Sequence, residues 1–129
     1  MKRAQAGVEG MIAVGIIFFL FMGVYLVYIE KQHLVTLTNQ ELQEHRDCLL
    51  LSNAITTILI LGEGSQTTVR IKYNQTIYPL QQRIESENSF CTIPVKSVSN
   101  SGYSSTAPFN LAPGNVVISR SDWVKVQNG

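Results

Sequence analysis

The sequence predicts an α+β fold, in which a long N-terminal helix spans a membrane in its first half and packs distally on a small antiparallel β-sheet domain. Three observations predict it. Residues 10–29 contain no charged side chain. Residues 30–61 contain neither Pro nor Gly, and apolar residues recur there at near-helical spacing. Beyond Gly64 the apolar period changes to two, the period of a half-buried strand.

The apolar run comes first. Twenty residues at helical rise cover roughly 30 Å, the hydrocarbon thickness of a bilayer. A helix satisfies its own backbone there, and a small domain has too little surface to cover an apolar rod of that length. Lys2 and Arg3 precede the run, whereas Glu30 and Lys31 follow it and cancel. An excess of Lys and Arg marks the cytoplasmic side, so the expected orientation is N-terminus inside, with the rest of the chain outside. Tyr25 and Tyr28 suit the aromatic belt at the far interface. A removable secretory signal has a shorter apolar stretch and a small-residue cleavage site after it. This run ends in Tyr28-Ile29-Glu30-Lys31, which supplies no such site.

The helical pattern then continues through Leu34, Leu37, Leu42, Cys48, Leu49, Ile55, Ile58 and Leu59, with polar Gln40, Glu44, Asp47 and Asn53 between. Gly62-Glu63-Gly64 supplies a stop, because glycine tolerates the left-handed conformation past a helix end. From Gln5 to Leu61 such a helix measures ~85 Å. Residues 67–73 alternate, with Val69, Ile71 and Tyr73 on one face and Thr68, Arg70 and Lys72 on the other. Asn74-Gln75 reads as a turn, and residues 76–78 as a return strand ended by Pro79. Residues 90–95, 116–119 and 123–127 read as further strands, and the polar residues 97–105 as a loop. Neither helix nor sheet buries its apolar face alone, so the two are expected to pack. There is no internal repeat and no low-complexity tract.

Beyond residue 30, eight Lys or Arg face seven Asp or Glu, and no basic stripe supports nucleic-acid contact. Cys48 and Cys91 lie in the part assigned to the outside, where disulfides persist. A bond between them stabilises by ~4 kcal/mol in the chain-entropy model; the alternative is two buried thiols. His45 and Cys48 stand three apart on the helix near His33, Glu41 and Glu44, but no second Cys/His pair follows, so the expectation is a solvated helix face and no metal. No phosphate-binding loop and no Gly-x-Ser-x-Gly turn occurs, and Gly62-Glu63-Gly64 follows a helix, the wrong side for a nucleotide cradle. The sequence therefore argues against an enzyme and implies no cofactor. Asn74-Gln75-Thr76 fits the N-glycosylation acceptor pattern.

The residues ahead of the apolar run are the most informative. Lys2-Arg3-Ala4-Gln5-Ala6-Gly7-Val8-Glu9 resembles the class III signal peptide of type IV pilin-like proteins in its archaeal form. That form has a short basic leader, a small residue, a Gln, and a Glu four residues beyond the Gln. Gly7 and Gly10 depart from the Ser and Phe found in many members. The resemblance implies that a membrane-embedded prepilin peptidase cuts between Ala4 and Gln5, removing residues 1–4. It also implies that the new ammonium at Gln5 pairs with Glu9, in the same or a neighbouring subunit. An unpaired carboxylate at the edge of a bilayer helix is costly, which agrees with that role. Small residues Ala6, Gly7, Gly10, Ala13 and Gly15 allow helices to approach closely. The domain plan is then a leader over residues 1–4, a long helix over 5–62 and an extracytoplasmic β-rich domain over 65–129. The expected partners are the lipid bilayer, a prepilin peptidase and other pilin-like subunits in an extracytoplasmic filament. The rival expectation is an unprocessed single-pass membrane protein whose outer domain binds a partner in an envelope complex.

Overall fold

The computed structural model describes residues 2–100 and 106–129. Helix α1 runs from Lys2–Leu61, and eight strands follow: β1 (Gln66–Ile71), β2 (Gln75–Tyr78), β3 (Arg83–Glu85), β4 (Phe90–Thr92), β5 (Val98–Ser99), β6 (Phe109–Leu111), β7 (Gly114–Arg120) and β8 (Val124–Asn128). The fold is α+β, with one long, apolar N-terminal helix and two small sheets. The chain divides into two compact units, residues 1–39 and 40–129.

In the first unit every described residue is exposed, including the whole apolar run. The helix there is long and apolar enough to cross a membrane. Its backbone is satisfied within the helix, and the side chains of the run are exposed.

The second unit begins on the distal part of α1. Its buried residues Glu44, Asp47, Cys48, Leu51, Ile55 and Ile58 recur at three- and four-residue intervals, which is one stripe of a helix. The helix ends where it was expected to end. The Gly62 amide reaches back to the Ile58 carbonyl, and Gly62 and Gly64 both take the left-handed conformation, at φ 91° and 82°.

The strands form two sheets, ordered β1-β7-β8-β5 and β4-β3-β2-β6. In the first, β1 pairs antiparallel with β7 from Gln66↔Ser119 to Ile71↔Gly114, and β7 with β8; β5 is parallel to β8. In the second, β2 lies between β3 and β6, and β4 closes the edge on β3. Leu51, Ile55 and Ile58 of the helix, Ile71, Val116, Ile118, Val124 and Val126 of the first sheet, and Ile77, Ile84 and Leu111 of the second share one core. Burying a side chain of this size stabilises by about 1.5–3 kcal/mol, so the helix stripe and the two sheets depend on each other.

Several local expectations are corrected. The strand at residues 67–73 stops at Ile71, because the Lys72 and Tyr73 amides turn to bond the Asp47 carboxylate. No hairpin joins β1 to β2. Residues 72–73 bend the chain out of the first sheet, so β2 pairs in the second, and Gln75, read as a turn residue, is a fully buried strand residue. Residues 90–95 give a strand only over Phe90–Thr92. The loop expected over 97–105 contains β5, whose Val98 and Ser99 are buried; residues 101–105 lie outside the described residues. The short strands β3 and β6 carry too few residues to show a period, and alternation did not reveal them.

Candidate processing and assembly segment

Ala4, Gln5 and Glu9 lie on the first turns of α1, all exposed. Gln5 and Glu9 are four apart, so their side chains share a face of the helix. Lys2 and Arg3 occupy the first helical positions with no acidic residue in that turn. Cations there oppose the helix dipole, and the first four amides lack intrahelical partners, so the turn holding the Ala4–Gln5 bond unwinds at little cost.

The glycines downstream carry a second message. A methyl group added at Gly7, Gly10, Gly15 or Gly23 meets nothing within 4 Å. Each of these glycines costs a helix roughly 1 kcal/mol relative to alanine, and no contact among the described residues requires it. Close approach of another helix is a reason that a single chain does not supply.

The distal unit holds its helix by polar contacts as well as by the core. Cys48 and Cys91 form a disulfide with Cα atoms 6.0 Å apart. The Ser52 hydroxyl donates to the Thr92 carbonyl at 2.7 Å, and the Arg120 guanidinium donates to the Leu59 carbonyl near the helix end. Two carboxylates read from sequence as part of the polar helix face are buried instead. Asp47 accepts the backbone amides of Lys72 at 2.7 Å and Tyr73 at 3.2 Å. Glu44, 1% exposed, accepts the Ser86 hydroxyl, the Asn88 amide at 2.9 Å, and the side chains of Gln40 and Asn88. Burial pushes the Glu44 carboxyl up, but the hydrogen bonds from Ser86, Asn88 and Gln40 outweigh it and hold the group below its ordinary value. Nothing local in the sequence distinguishes these two acids from exposed Glu41, since apart from Gln40 on the same helix their partners lie more than twenty residues downstream.

The other residues singled out from the sequence do not converge on a site. His45 faces Ser89, 3.3 Å from its hydroxyl, while Cys48 is committed to the disulfide and Glu44 to its loop. Asn74 is exposed, whereas the Thr76 hydroxyl of its acceptor pattern donates to Asn110 at 2.8 Å. Comparison with protein-family models, curated proteins and solved structures finds no match to this chain. A long apolar N-terminal helix, packed distally on small antiparallel-rich sheets, is nonetheless compatible with a pilin-like fold.

Proposed function

We propose that the chain is a pilin-like structural subunit, processed between Ala4 and Gln5 and assembled through its apolar helix into an extracytoplasmic type IV pilus-like filament. The observation that carries this reading is the combination at one end of α1. An exposed apolar run follows a small residue, a Gln and a Glu at the spacing of an archaeal class III signal peptide. The glycines that no intrachain contact requires supply places for neighbouring helices to approach.

In this reading the basic leader stays in the cytoplasm, and the disulfide-bonded β-domain stands outside, where the bond persists. Cleavage removes two cations that oppose the helix dipole and leaves one ammonium at Gln5. Glu9 neutralises that ammonium among apolar helices, where an unpaired charge costs several kcal/mol. The bilayer, the prepilin peptidase and other pilin-like subunits are the partners, and the role is structural rather than catalytic. An oligosaccharide on Asn74 fits the same outward placement.

The test is the N-terminus of protein purified from membranes that contain a prepilin peptidase. Mass spectrometry should find Gln5 as the first residue, and Ala4→Leu should block the cut. Intact Met1 in the wild type would sink the reading in favour of an unprocessed membrane anchor.

A further inference from the structure

We propose that a concavity between α1 and the end of β1 binds a compact oxyanion, a sulfate or phosphate group, free or carried as an ester on a sugar. The concavity has a volume of about 380 Å³ and is lined by Gln43, Arg46, Asp47 and Leu50 from α1, by Arg70 of β1, and by Lys72 just beyond it. Its volume lies in the range that holds a small molecule.

Arg46 of α1 is brought to one hollow with Arg70 and Lys72, which lie more than twenty residues later in the chain. The side chains of Arg46, Arg70 and Lys72 are exposed, and among the described residues none of them has a hydrogen bond or an ion pair. The single acid in the lining, Asp47, is 5% exposed and spends its Oδ2 on the amides of Lys72 and Tyr73. Three positive charges against one negative leave the hollow with two in excess. Folding gains nothing from that excess, since like charges held together repel. The Tyr73 hydroxyl donates to the side-chain Oε1 of Gln43 at 3.4 Å, which leaves the Gln43 side-chain NH2 as a further donor.

Guanidinium groups present planar pairs of N–H donors that match sulfate, phosphate or carboxylate oxygens. Among the described residues Leu50 is the one apolar side chain in the lining, so an apolar ligand finds little to cover, whereas one face of a sugar ring has a place to rest. The lining gathers three cations in one small hollow, a geometry that fits one anionic group rather than a polyanion. The site lies wholly in residues 40–129 and does not depend on filament assembly.

The experiment titrates the full chain, disulfide intact and in a neutral detergent, with inorganic sulfate, inorganic phosphate, glucose 6-sulfate and unmodified glucose, followed by calorimetry at low salt. Saturable 1:1 binding is expected for the anions and none for glucose. Binding of the inorganic ions as tightly as the ester assigns a free oxyanion; tighter binding of the ester assigns a sugar-borne one. Arg70→Gln with Lys72→Gln should weaken binding at least about tenfold and Arg46→Gln alone several-fold. Lys96→Gln, at an exposed position outside the lining, should leave it unchanged, with cooperative unfolding verifying that each variant folds. Absence of saturable binding to every anion, or an equal loss in Lys96→Gln, overturns the proposal.

Discussion

Residues 10–29 and residues 44–58 belong to one helix, yet their relation between chemistry and burial is inverted. In the first stretch uncharged, mostly apolar side chains are all exposed; in the second, two carboxylates are buried beside Leu51, Ile55 and Ile58. Apolar Leu42 and Leu49 are exposed on the same helix. Burial within the chain therefore follows where the sheets lie, not the polarity of each residue. A carboxylate is tolerated inside once backbone amides and hydroxyls meet its oxygens, as at Glu44 and Asp47. Under the proposed function, the apolar side chains of residues 10–29 stay uncovered by the chain because lipid or other helices are to surround them.

That contrast breaks most sharply at Glu9. Under the proposed assembly, Glu9→Ala should still be processed, because the peptidase reads the leader and Ala4. Incorporation into filaments should fail almost completely, since the Gln5 ammonium has no partner among apolar helices. Processed Glu9→Ala protein should collect in membranes and be missing from sheared filaments, with Glu9→Asp as the conservative control. Normal filament yield would remove Glu9 from the pairing role.

The next largest effect belongs to the distal unit. Replacing Cys48 and Cys91 by Ala should cost about 2–5 kcal/mol in denaturant unfolding of that unit. Residues 10–29 take no part in this bond, so membrane association should not change. Next comes Ile55→Ala, which leaves a cavity where helix and sheets meet and should cost about 3 kcal/mol. Phe19→Ala, a larger truncation at a position 82% exposed, should leave the same unfolding transition where it was. Equal shifts from the two would mean that the apolar run is packed against the β-domain.

The smallest effect sharpens the point about buried polarity. Glu44 has a folded-state pKa below its ordinary value, so its stabilisation is fully present above the unfolded carboxyl range. It is lost as pH falls through the depressed value. Glu44→Gln should therefore cost about 1–2 kcal/mol at neutral pH. The wild-type and variant stabilities should converge at acid pH, measured by urea unfolding across the range. Parallel curves would show that the Glu44 charge contributes nothing.

Composition and period alone determined the long helix, its uncharged first half, its stop at Gly62 and the change to strand period after Gly64, because each of these depends on residues close in sequence. The Ala4, Gln5 and Glu9 pattern was legible for the same reason, as a local spacing. Only the tertiary structure decided that β2 leaves β1 for a second sheet, that Gln75, Glu44 and Asp47 are buried, and that Arg46, Arg70 and Lys72 share a hollow. The burial of Asp47 and Glu44 rests on partners 25 or more residues away, the Lys72 amide on Asp47 and the Asn88 amide on Glu44. A period of two or 3.6 reports which face of an element is apolar, but not what covers that face. Where the covering surface carries free amides and hydroxyls, a carboxylate belongs inside, and only the folded chain brings those donors to it.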